Sequence, residues 1–217
     1  MSVLTAPIAN DSLLFKPINE SPDVKEELQK SLIQTSPYLE RSHWLDISDY
    51  DIQYKLLTIA LQSFKSQGDY ANNSYVDSFN IKEIIGLVNY YSRSLNIELP
   101  DFDVYIVGFR SCLFPEIRQS SEKREILGQV DKASHEEANQ SGGLLKYWYG
   151  IPNSEGKNLA TCWWVSSSHA KFGGRGNNHR EGVNLVRNWY QLWEIEQYHL
   201  NITKNATDFA VSRIMCG

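Results

Sequence analysis

Little cysteine, no long apolar run and no excess of positive charge mark this 217-residue chain, and each shortage removes a class of protein. The three cysteines, Cys112, Cys162 and Cys216, are odd in number, far apart and never in a CxxC pair. That excludes a disulfide framework and predicts reduced, mostly buried thiols. No apolar stretch approaches the ~20 residues needed to cross a bilayer. The opening MSVLTAPIANDSLL has neither a basic start nor a sustained apolar segment, so it does not read as a secretory signal. A formal charge of −5 argues against nucleic acid as a partner, because phosphate binding needs a basic footprint. The expectation is a soluble cytoplasmic protein, with the nucleus also open to it and with no membrane partner.

What is present suffices for a sizeable core: 41% of residues are apolar and 12% aromatic. Residues 1–45 carry Pro7, Pro17, Pro22 and Pro37 and no sustained period, and are expected to form a flexible N-terminal arm. Within it Leu13, Leu14 and Phe15 offer an anchor, and Val24 to Ile33 a brief helix capped by Asp23. Residues 46–217 are expected to form a single α+β domain.

Within that domain, Gln53 to Phe64 alternates weakly between more and less apolar positions, which favours a strand. Asn80, with Glu83 three residues on, is expected to cap a helix whose stripe is Ile81, Ile84, Ile85, Val88, Tyr91 and Leu95. Phe102 to Phe109 is apolar on both faces, as a central strand covered on both sides would be. Glu122 to Gln140 reads as a polar helix that turns Ile126, Leu127, Val130, Ala133 and Ala138 inward and stops at Gly142.

The stretch Gly142 to Val165 organises the rest. It reads as two strands around the turn Pro152-Asn153-Ser154-Glu155-Gly156, and it holds three of the six tryptophans. A short helical turn ending at Gly173-Gly174, a helix from Asn178, a strand from Ile195 to Ile202 and a polar tail from Lys204 complete the order. From Phe102 to Ile202 that order is βαββαβ, a ferredoxin-like core. The fold class expected is therefore α+β: an antiparallel sheet with helices on one face, plus an N-terminal strand-helix extension. The other face needs a cover, which either residues 53–95 or a second subunit in a homodimer would supply.

The runs HEEA (135–138), SGGLLKYWYG (141–150) and NLATC (158–162), with the later stretch from His179 through Trp193 to Tyr198, resemble the signature of an uncharacterised family of fungal proteins. The resemblance spans about residues 50–202 and implies no activity. The element order is also similar to that of dimeric α+β barrel proteins, whose members pair two ferredoxin-like sheets. That second likeness implies an oxygenase- or cyclase-like enzyme, in some cases with a haem on one histidine.

Three groups of residues carry candidate chemistry. His135, His169, His179 and His199 crowd the C-terminal half, but none has the HxxxH spacing that puts two imidazoles on one helical face, so no metal is assigned and the cofactor stays open. Lys146, Tyr147, Trp148 and Trp163 on the hairpin could bind a small apolar or aromatic ligand, with His135 and His179 beside them; the same residues equally suit packing or a subunit interface. Lys171-Phe172-Gly173-Gly174-Arg175-Gly176 is near the pyrophosphate loop of acetyltransferases, though its first position and the following Asn177-Asn178-His179 depart from it. Three functions follow as expectations: a small-ligand-binding or self-associating α+β domain, an oxygenase- or cyclase-like enzyme, or an acyltransferase using Gly173 to Gly176.

Overall fold

A computed structural model describes residues 23–215; the Leu13–Phe15 anchor and Cys216 lie outside them. Helix α1 (Val24–Leu28) starts at Asp23, whose carboxylate accepts from the Lys25 N–H. Strands β1 (Leu32–Gln34) and β2 (Trp44–Asp46) pair antiparallel. Ile33, Thr35, His43 and Leu45 are buried, so from Val24 onward the expected arm lies packed on the body. Helices α2 (Ile52–Ala60) and α3 (Ile81–Ser94) come next. The rest alternates β3 (Phe102–Leu113), α4 (Pro115–Gln119), α5 (Ser121–Gln140), β4 (Leu144–Tyr149), β5 (Lys157–Trp164), α6 (Ser167–Gly173), α7 (Asn177–Trp189), β6 (Tyr190–Thr203) and β7 (Asp208–Arg213).

The sheet order is β4-β5-β3-β6-β7, every neighbour antiparallel. Its first four strands give the ferredoxin-like α+β arrangement, with β3 central and each βαβ unit split by a strand between. Strand β7 is an addition: the polar tail after Lys204 turns through three left-handed residues, Lys204, Asn205 and Ala206, and pairs back along β6. Its edge position explains why it reads as peripheral, since only Phe209 and Val211 pack against the core.

Side chains of β3 alternate strictly. Phe102, Val104 and Ile106 enter one core with Leu159, Trp163, Leu200, Ile202 and the apolar stripes of α2 and α3. Tyr105 and Val107 face the other way, toward Ala138 on α5 and Ala170 on α6. The first face is thus covered by the chain's own residues 52–95. The stretch expected as a strand there is a helix, α2, followed by a 3-10 turn over Leu61–Ser63. Leu56, Leu57, Ile59, Ala60 and Leu61 are all fully buried. A helix enclosed on every side is apolar all round, so its period vanishes and weak alternation imitates a strand.

Helix α3 forms where its stripe predicts, but its start differs. The Asn80 side chain makes no cap to the helix amides; its amide donates to the Glu83 carboxylate at 2.6 Å and to the Ser63 carbonyl, while its oxygen accepts from the Lys65 N–H. Asn80 therefore ties the α2–α3 connection to the helix rather than capping it. Helix α5 runs unbroken through Gly128 and stops where Gly142 and Gly143 take left-handed backbone (φ 81° and 82°).

Candidate functional site

The sheet divides the residues singled out on the hairpin. Lys146 sits directly opposite Trp163 across the β4–β5 ladder, and Trp148 opposite Thr161, all on the face covered by α2 and α3. Trp163 is fully buried; its indole N–H donates to the Tyr75 hydroxyl at 3.0 Å, and that oxygen is 2.7 Å from Thr161 Oγ1. Trp148 is held edge-on by Tyr70 and Phe79. Lys146 is 3% exposed, and burial draws its ammonium down to about 7. These three side chains belong to the filled core.

Tyr147, the neighbour of Lys146, points to the opposite face, where it joins His135 and residues that sequence reading passes over. The inward stripe of α5 is Asp131, His135, Ala138 and Asn139, a run at i, i+4, i+7 and i+8. Asp131 receives two phenolic hydroxyls, Tyr147 at 2.6 Å on Oδ1 and Tyr38 on Oδ2. Tyr38 comes from the connection between β1 and β2, which is drawn across this end of the sheet. That connection is fastened at several points: the Tyr147 N–H donates to the Thr35 carbonyl at 2.8 Å, and the Asn139 amide donates to the Ser42 and Trp44 carbonyls.

His43 on the same connection meets His135 at 2.8 Å, Nδ1 to Nδ1. One of the two must donate and the other accept, so the accepting imidazole cannot take a proton on Nδ1 without losing the bond. Burial draws His43 below its ordinary value and His135 down to about 3. His135 is 4% exposed, and its Nε2 has no hydrogen-bond partner among the described residues. The rings of Tyr38, His43, His135, Tyr147 and Tyr149 surround this point, with centroids 4.8–6.5 Å apart.

Beyond these rings the helix layer leaves the sheet incompletely sealed. Tyr105, Val107, Phe109, Ala160 and Cys162 remain half-buried on the two central strands, and α7 buries none of its residues. Asp131 is likewise only half-buried. These half-buried positions mark this side of the sheet as the candidate cleft, mostly apolar, with the Asp131 carboxyl and the buried His135 imidazole beside it. Burial raises the Asp131 carboxyl above the usual range, against the two phenolic donors and His179, which favour its charged form. The Cys162 thiol is pushed up by burial, which disfavours the nucleophilic thiolate.

His179 stands at the rim, 3.3 Å from the Glu137 carboxylate. Glu137 also accepts from the Asn178 N–H at 3.0 Å and the His179 N–H at 3.3 Å, capping α7 from another helix. Gly176 permits this approach, since a Cβ there would lie 1.9 Å from the carboxylate. The amides that an acyl-carrier pyrophosphate would need are thus occupied by an acidic side chain. A signal for Asp131 did exist in the sequence: Asp131-x-x-x-His135 puts both on one helical face. The partners Tyr38 and His43 had none, because they arrive from about ninety residues away.

Among the described residues no helix is long and apolar enough to cross a membrane. Two solved structures resemble parts of the fold. A conserved protein from Methanosarcina mazei Go1 aligns with a TM-score of 0.36 at 16% identity, over 45% of this chain and 91% of that one. A putative antibiotic biosynthesis monooxygenase from Nitrosomonas europaea aligns at 0.34 and 8% identity, over 52% and 90%. The UPF0643 protein PB2B2.08 of Schizosaccharomyces pombe is 46% identical over 208 residues, 94% of each chain. The PB2B2.08-like family is matched over residues 34–213, and with that relative it shows that the chain belongs to the PB2B2.08-like family.

Proposed function

We propose that this chain binds a small, largely apolar molecule in the cleft between the sheet and α5–α7, against Tyr147, His135 and Asp131. The observation that carries the reading is the half-exposure of Tyr105, Val107 and Phe109, inward-facing residues on a central strand beneath two helices. A sheet face of that kind is ordinarily sealed, and leaving it wet forgoes roughly 25 cal/mol per Å². Of the residues singled out in the sequence, Tyr147, His135 and His179 belong to this site.

The test is fluorescence titration with N-phenyl-1-naphthylamine, a neutral probe that brightens in apolar surroundings. Saturable binding is expected, and Val107→Trp, which fills the cleft, should weaken it about tenfold, the cost of roughly 1.4 kcal/mol. Equal binding by the variant, with its far-UV spectrum unchanged, would place the probe elsewhere and sink the reading.

Self-association is a second reading with its own observation. Strand β7 pairs only with Tyr198–Thr203, so the outer edge of β6 from Tyr190 to Glu196 has no strand beside it among the described residues. Leu192, Trp193 and Ile195 are exposed there. An open apolar edge favours pairing with another strand. Sedimentation equilibrium is expected to show a dimer that Ile195→Lys dissociates, and a monomeric wild type at high concentration would end this reading.

A further inference from the structure

The Asp131 carboxyl is set among aromatic rings, and among the described residues no fixed cation stands against it; burial raises it toward the neutral form, so a cation is what would hold its charge there. None of the ion pairs among the described residues includes it. The basic group acting on it is His179, and that imidazole is already bonded to Glu137. Lys132, next along α5, carries its ammonium away to Glu40 at 2.5 Å, over the face of Tyr38. Among the described residues the carboxylate's hydrogen bonds come from the two phenolic hydroxyls, which are neutral donors and leave each oxygen a second acceptor site.

One turn along the helix, His135 adds an imidazole nitrogen that is buried and unpartnered. In the tautomer that donates Nδ1–H to His43, this Nε2 is a hydrogen-bond acceptor. The Asp131 carboxyl, the buried His135 nitrogen and the rings of Tyr147 and Tyr149 together gather acceptors and π-electron density at one end of the candidate cleft, while the Tyr38 ring already faces the Lys132 ammonium. Buried charges in proteins are normally paired, and ring faces attract cations.

We infer that the ligand of this cleft is a small organic cation, an ammonium on an apolar or aromatic body, whose charge sits between Asp131, His135 Nε2 and the tyrosine rings. This rests on the cleft being the ligand site. The ammonium N–H groups would donate to a carboxylate oxygen and to Nε2, and the body would lie along Val107, Phe109 and Ala160. A carboxylate-bearing ligand would meet repulsion at the same place, and a neutral alcohol would gain one hydrogen bond without the charge term.

Three probes of nearly one shape decide it: phenethylamine, 2-phenylethanol and 3-phenylpropanoate, titrated calorimetrically into the full chain at neutral pH. The amine is expected to bind at least about tenfold more tightly than the alcohol, in keeping with the greater strength of charge-assisted hydrogen bonds. The phenylpropanoate should bind most weakly. Asp131→Asn, checked for folding by its unfolding midpoint, is expected to bring amine and alcohol to parity. Equal binding of amine and alcohol by the wild type would overturn the cation assignment while leaving the cleft as the site. Failure of all three to bind, together with failure of the neutral fluorescent probe, would overturn both. The wild-type comparison is decisive by itself, so a poorly folding Asp131→Asn does not leave the matter open.

Discussion

Acidification from neutrality to about pH 3.5 is expected to remove roughly 4 kcal/mol of folding free energy through His135, at about 1.4 kcal/mol for each pH unit below the unfolded value of about 6.5. The sign follows from which state holds the proton. Burial draws the folded imidazole down to about 3, while the unfolded chain protonates it at its ordinary value. The unfolded state therefore binds protons more tightly, and stability present above about pH 6.5 is lost as pH falls toward 3.

His43 acts in the same direction, being drawn down by burial against the opposing pull of Glu136 and Glu40. Lys132 and His179 add repulsion to the protonated forms of His43 and His135 respectively. Asp131 opposes the trend: its raised carboxyl takes up a proton more readily in the folded state. Urea unfolding at about pH 7, 5 and 4 should show the loss directly. His135→Asn is expected to flatten that dependence, and an unchanged acid limb in the variant would show that carboxylates elsewhere set it. Because the His43–His135 contact fastens the β1–β2 connection, exchange of the amides around Thr35 and Trp44 should quicken first on acidification.

Trp163→Ala is expected to cost about 3–5 kcal/mol, the usual range for removing a large ring from a sealed core. The indole is fully buried, packs edge-on against Phe64 at 5.3 Å and satisfies Tyr75 through its N–H. Tyr75 keeps its contact with Thr161 after the substitution, so the loss comes from the cavity far more than from an orphaned hydroxyl. Trp163→Phe should recover most of it. Trp193→Ala, on the exposed start of β6, serves as the contrast and should cost less than about 1 kcal/mol. A midpoint shift in urea without a change of slope is the measurement, and equal effects at both tryptophans would contradict the assignment of the core.

The sheet was readable because its strands are short apolar runs and the hairpin turn carries Pro152, Asn153 and Gly156, residue types that favour tight turns. Helix α2 was not, since Leu56, Leu57, Ile59, Ala60 and Leu61 are enclosed on all sides and leave no polar face to set a period. The site was legible by half. Tyr147 and His135 stand out as residue types, but His135 on a charge-rich helix reads as solvated, whereas the structure buries it. What buries it is the β1–β2 connection, whose Tyr38 lies 93 residues from Asp131. No local pattern encodes a contact of that span. Lys146 and Tyr147, candidates of one set in the sequence, are consecutive on a pleated strand and stand on opposite faces of the sheet.

The helices α2 and α3, laid over one side of the sheet, make that cover part of the same molecule. Two separate subunits sharing such a face would gain or lose it by mass action, and their stability would follow concentration. Here the cover is tethered at an effective concentration set by the chain, so dilution leaves it in place. The cleft proposed on the far side is separate from that larger core, so filling it would not require the core to open. One side of the sheet serves permanence, and the other is left free to respond.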